Sequence, residues 1–114
     1  MDVKRKKQLL EEYKNRRPEM GVISYRCIAT NESFLGISKD TRADFNSSSA
    51  KLAMNYHPNK RLQELWNHYG AEGFALSVVK TLKYENPADD HTAELEALRE
   101  QCLAQDKLAR RIWR

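Results

Sequence analysis

The sequence predicts an α+β domain in which a small antiparallel three-stranded sheet is covered by helices, in the order α-β-β-α-α-β-α. Three observations carry that expectation. Two runs, Met20–Ala29 and Phe34–Ser38, are apolar, rich in β-branched and aromatic residues, and separated by the turn formers Thr30, Asn31, Glu32 and Ser33. Leu62, Leu65, Trp66 and Tyr69 recur at the i, i+3, i+4, i+7 spacing of one helix face. Phe74, Leu76 and Val78 alternate as a lone third strand, and so short a sheet buries its apolar face only against helices.

In chain order, Asp2–Arg16 carries Leu9, Leu10 and Tyr13 at helical spacing among charges, and Pro18 ends it, so an amphipathic helix is expected there. The two runs above form a β-hairpin. Asp40 is placed to cap a helix from about Thr41 to Met54, with Phe45, Leu52 and Ala53 on its inner side and a serine run that weakens it. Pro58 suits the first turn of the next helix, whose Trp66 and Tyr69 are expected in the core, and Gly70 sits where a left-handed C-cap belongs. After the third strand, Asn86–Asp90 makes a polar turn able to cap a last helix from Thr92 to at least Leu103, with Leu95, Leu98 and Cys102 on one face.

With 114 residues the chain holds one globular domain, and 40% hydrophobic residues with 32% charged exclude collagen-like and wholly disordered classes. No apolar stretch approaches the ~20 residues of a membrane span, and no secretory signal is legible. Cys27 and Cys102 form no CxxC and have no neighbouring histidine; they are expected as reduced thiols in a cytoplasmic protein. The net charge of +4 is unevenly spread: residues 1–17 hold seven bases against three acids, residues 107–114 hold four bases and no acid, and the middle is net acidic. The chain is accordingly divided into a basic amphipathic helix (1–18), a central domain (19–106) and a basic tail (107–114). Basic ends that met on one face could lie against a polyanion.

The hairpin and the segments C-terminal to it resemble a known family. Gly21-Val22-Ile23, a ten-residue gap and Phe34-Leu35-Gly36 resemble a worn GIY-YIG nuclease signature. His57-Pro58-Asn59-Lys60-Arg61-Leu62-Gln63, Asn67 and Tyr69-Gly70 are similar to the run H-x-N-x-x-L-Q-x-x-x-N-x-Y-G of short bacterial GIY-YIG proteins. The resemblance spans about Met20 to Leu103. It implies a fold whose active members hydrolyse DNA phosphodiesters with one divalent metal, Mg²⁺ or Mn²⁺. In those members a tyrosine of each triplet orients the attacking water, a first-helix arginine steadies the phosphate, and a last-helix glutamate holds the metal. A hard cation takes oxygen ligands and a guanidinium fork matches phosphate oxygens, so these residue types suit the chemistry.

Carried onto this chain, the tyrosine slots fall on Ile23 and Phe34 and the arginine slot on Asp44. Neither tyrosine slot keeps a hydroxyl, and the third exchanges a cation for an anion. Tyr25 stands two residues along the same strand face, roughly 6.5 Å away. Arg42 is about 200° around the helix from Asp44, and a two-residue gap would return it to the slot. Asp40 and Asp44 share a side at i, i+4, which is hostile to phosphate. His57 and Ser48 fall on positions where the family carries polar or histidine side chains. The metal position falls on one of Glu94, Glu96 or Glu100.

Three functions are open to such a chain. The leading expectation is a degenerate nuclease-like domain that binds DNA without cutting it, through Lys4, Arg5, Lys6, Lys7, Arg16, Arg17, Arg110, Arg111 and Arg114. The second is residual metal-dependent hydrolysis by Tyr25, Arg42, His57 and one of the three glutamates. The third is a scaffold that binds a protein partner or a second copy of itself, with the Leu9, Leu10, Tyr13 stripe as its surface if exposed.

Overall fold

The hairpin forms where the alternation placed it. In the computed structural model, which describes residues 18–86 and 88–113, β1 (Met20–Cys27) pairs antiparallel with β2 (Ser33–Ser38), setting Ile23 opposite Gly36 and Tyr25 opposite Phe34. The chain reverses through Asn31, whose φ is 63°, a conformation that asparagine tolerates better than most residues. On the other side of β1, β3 (Phe74–Leu82) pairs antiparallel, with a bulge beside Val22 and Ile23. The helix expected over residues 2–16 lies outside the described residues.

The sheet has four strands, not the expected three, in the order β3-β1-β2-β4. β4 (Ala109–Arg111) lies parallel to β2, and the neighbouring Ile112 donates its N–H to the Leu35 carbonyl at 2.8 Å. Ala-Arg-Arg has no apolar alternation to announce a strand. It is held by the free backbone groups of the β2 edge and by the burial of Ile112, 2% exposed, just beyond it. The sheet therefore reaches into the segment whose charge read as a basic tail.

Strand alternation sends side chains to two faces. One face places Ile23, Tyr25, Phe34, Phe74 and Ile112 in a core with Leu52 of α1 (Thr41–Ala53) and Leu62 and Leu65 of α2 (Lys60–Tyr69). The other packs Val22 and Leu35 on Cys102 of α3 (Thr92–Gln105), flanked by Leu98, Leu103 and Ala109. Both cysteines are free and buried. No helix among the described residues is long and apolar enough to cross a membrane.

Helix ends obey local chemistry. Asp40 caps α1, its carboxylate accepting the Ala43 N–H at 3.2 Å. Thr41, Ser48 and Leu52 mark the inner side of α1, which leaves the expected inward Ala53 exposed. The N-cap of α2 is Asn59 rather than a Pro58 start, with Asn59 Oδ1 accepting the Leu62 N–H at 3.0 Å. Trp66 is half-buried against Phe74, but Tyr69 is 39% exposed and not core, because it falls on the outer edge of the apolar stripe. Gly70 closes α2 with φ 75°. Asp90 accepts the Thr92 N–H at 3.0 Å and so anchors the start of α3, on which Leu95 and Cys102 are buried as expected and Arg99 is buried as well.

Candidate active site

The two glycines that survive in the signature triplets are held by close packing. A Cβ on Gly21 would stand 2.1 Å from the Lys80 carbonyl oxygen, at the bulge between β1 and β3. A Cβ on Gly36 would stand 2.4 Å from both Ile112 Cγ2 and Trp113 Cζ3. Each glycine thus lets a neighbouring segment approach the hairpin, a structural demand that needs no catalysis.

The tyrosine slots are part of the core. Ile23 and Phe34 are fully buried and pack with Leu52, Leu62 and Ile112. Tyr25 is buried on the same face, and its hydroxyl bonds with Ser49 Oγ at 2.8 Å and donates to the Phe45 carbonyl at 3.1 Å. Burial pushes the phenol pKa up against the Ser49 hydrogen bond, with the nearby Asp44 charge adding to the rise. Through these bonds the Tyr25 hydroxyl joins β1 to α1.

At the start of helix α1 the acids Asp40 and Asp44 are engaged by Ser38. Asp44 accepts a short hydrogen bond from the Ser38 hydroxyl, and the same hydroxyl accepts the Asp40 N–H at 3.2 Å. The two acids therefore serve the β2-to-α1 connection. Arg42 is exposed, and Ser48 is buried.

His57 belongs to a hydrogen-bonded clamp built with Asn59 and Gln63. Its Nδ1 accepts the Asn59 N–H at 3.0 Å, so the proton sits on Nε2, which is buried without a partner among the described residues. Burial lowers the imidazole pKa, and the Lys51 charge lowers it further. Gln63 accepts the His57 N–H at 3.0 Å and donates to the Leu52 carbonyl and to Asn67, each at 2.9 Å; Asn67 in turn donates to Asn55 at 2.9 Å. Asn59 Nδ2 donates to the Arg111 and Ile112 carbonyls at 3.3 and 3.2 Å. The asparagines and glutamine of the motif thus tie α1, α2 and β4 together. Gln63 and Asn67, four apart on one helix face, were the signal for this in the sequence.

The three candidate metal ligands do not meet Tyr25 or His57. Glu94 lies 3.2 Å from His91 Nδ1, and Glu96 is exposed. Glu100 accepts from Arg111 at 2.6 Å and from Arg99 at 3.4 Å. A carboxylate engaged by two guanidinium groups is a poor start for a cation site, and no three His, Cys, Asp or Glu side chains converge among the described residues. Of the three glutamates, Glu100 is the one already neutralised by arginines, while Glu96 stays exposed.

Of the expected nucleic-acid contacts, Lys4, Arg5, Lys6, Lys7, Arg16, Arg17 and Arg114 lie outside the described residues. Arg110 and Arg111 are exposed on β4, Arg111 paired with Glu100 and Arg110 near enough to Glu32 to help hold its carboxyl below the usual range. The main cause of that lowering is Arg61, which grips both Glu32 oxygens at 2.7 and 3.1 Å.

No protein-family profile matches the chain, and no curated protein matches it in sequence. Solved structures do resemble it. The catalytic domain of the homing endonuclease I-TevI superposes with a TM-score of 0.63 at 17% identity, over 75% of this chain and 86% of that one. A mutant of the same intron-endonuclease catalytic domain gives 0.64 at 17% identity, over 76% and 82%. The hairpin with its paired glycines, the clamp on α2 and this superposition together give the chain a GIY-YIG nuclease-like fold.

Proposed function

We propose that this chain is a nuclease-fold domain that binds nucleic acid without hydrolysing it. The observation that carries the reading is the conversion of the catalytic positions into structure. Ile23 and Phe34 are core, Asp44 replaces the phosphate-steadying arginine, and the hydroxyl of Tyr25 is bonded inside the fold. Residues that act as a unit lose most of their rate enhancement when one is removed, and here three positions are changed together. Binding is supported by the seven bases of residues 1–17 and the four of residues 107–114.

Two measurements test the proposal. Supercoiled plasmid incubated with the full chain in Mg²⁺ or Mn²⁺ stays unnicked, with or without chelator; chelator-sensitive nicking overturns the non-catalytic half. Labelled duplex DNA shifts at ~50 mM salt and is released by ~200 mM, because phosphate contacts return condensed counterions to solution on binding. A shift that is indifferent to salt, or no shift at the lower salt, overturns the binding half. A protein partner is the second reading, favoured by Met54 and Tyr56, which stand 73% and 70% exposed together after α1. A pull-down that a Met54→Lys, Tyr56→Lys chain loses, in the absence of any DNA shift, would select it.

A further inference from the structure

The core face of the sheet is filled by α1, α2 and Ile112, but the opposite face is only partly covered. Helix α3 ends at Gln105 and the chain turns back through Asp106–Leu108 into β4, leaving Arg26 of β1 and Ala75, Ser77, Val79 and Lys80 of β3 exposed, with Ser24 and Ser33 buried beside them. A groove of about 610 Å³ lies there, across β3, β1 and β2. That volume falls within the ~300–1,000 Å³ range of ligand sites.

The groove is lined by Arg26 and Lys80 and by the hydroxyl-bearing Ser24, Ser33 and Ser77. The Arg26 guanidinium bonds only the neutral Asn31 Oδ1, at 2.9 Å, and neither Arg26 nor Lys80 has an ion-pair partner among the described residues. This contrasts with Arg61, Arg99 and Arg111, all of which are paired with glutamates. None of the three serine hydroxyls is engaged by another described residue. The one acid in the lining, Asp106, is occupied in part by accepting the Leu108 N–H at 2.9 Å, and Lys107 lies beside it in the chain. Lys80 pairs across from Val22 and Arg26 lies four residues further along β1, so their Cα positions are set roughly 13 Å apart along the sheet.

We infer that this groove, on the sheet face opposite the nuclease positions, receives the phosphodiester backbone of a nucleic acid, with Arg26 and Lys80 on phosphates and the exposed Ser77 on phosphate or sugar oxygens. Uncompensated cations and free hydroxyls are the groups that contact backbone oxygens rather than base edges, and the lining carries no aromatic ring on which bases would stack. Binding is therefore indifferent to sequence. The inference rests on the nucleic-acid reading above and moves its described surface away from Arg110 and Arg111.

The test uses the full chain and labelled 20-nucleotide single-stranded DNA, RNA and duplex DNA in fluorescence anisotropy. Arg26→Gln with Lys80→Gln weakens binding by about tenfold or more and lowers the slope of log affinity against log salt by about two. Lys51→Gln with Lys60→Gln, which changes cations outside the groove, leaves both unchanged. Backbone amide NMR shifts of Ser24, Ser33 and Ser77 move on adding the oligonucleotide, which reads the site without any substitution. Wild-type affinity and slope in the Arg26, Lys80 variant, with those amides still, overturn the groove alone. A wild-type chain that binds none of the three probes overturns the nucleic-acid reading and the groove with it.

Discussion

His57 shows how surroundings set the charge state of a side chain. Its ring accepts from the Asn59 backbone and is held neutral by burial and by Lys51. A histidine whose folded pKa lies below its unfolded value contributes stability above the unfolded pKa, lost as pH falls through that value toward the folded one. His91 does the reverse: the Asn86 carbonyl and Glu94 raise its pKa, so its contribution is present at low pH and fades as pH rises through the folded value. Urea melts between about pH 5 and pH 7, the window around an ordinary histidine pKa, separate the two. The gain in stability on raising the pH should shrink in His57→Asn and grow in His91→Gln. The histidine and its neighbours were legible as a motif. Its role was not, because a ring nitrogen serves a backbone N–H and a metal equally well until its neighbours are placed.

At the scale of elements, β4 and the asparagine-glutamine clamp decide how the core closes. Ile112 fills the space above Gly36 and joins Ile23 and Phe34, while Asn59 holds the two carbonyls around it. Ile112→Ala should cost about 2–5 kcal/mol, the range for truncating a buried isoleucine. Asn59→Ala, which removes both a helix cap and those two hydrogen bonds, should cost about 1–2 kcal/mol. Denaturant melts measure both destabilisations. Hydrogen exchange at the Ile112 amide, which donates to Leu35, tells whether β4 detaches before the rest. An unchanged midpoint for Ile112→Ala would mean that β4 is an ornament of the sheet. The antiparallel hairpin and α2 were readable from local alternation and 3.6-residue spacing, whereas the β4 pairing was not, because a three-residue strand draws its stability from a distant edge.

For the whole molecule, charge sorts into two populations. Among the described residues, Arg61, Arg99 and Arg111 are paired with glutamates, while Arg26 and Lys80 line the groove without an ion-pair partner. Charge outside the described residues adds to the second group in sequence terms: changing Lys4, Arg5, Lys6 and Lys7 to glutamine should lower the salt slope of DNA binding by about three to four, a decrement of nearly one for each phosphate no longer neutralised. A slope unchanged by that substitution would leave the N-terminal bases out of the interface. By itself the sequence determined the α+β class, the hairpin and its glycines, α2 with Gly70 at its end, and the likeness to GIY-YIG nucleases. All of these are written in local spacing and residue type. Tertiary structure alone decided the fourth strand, the burial of the Tyr25 hydroxyl, the engagement of Glu100 by two arginines and the open groove on the far face. Each depends on which distant groups share a neighbourhood, and in a low-dielectric interior such neighbours decide whether a hydroxyl, a carboxylate or an imidazole is reactive or merely structural.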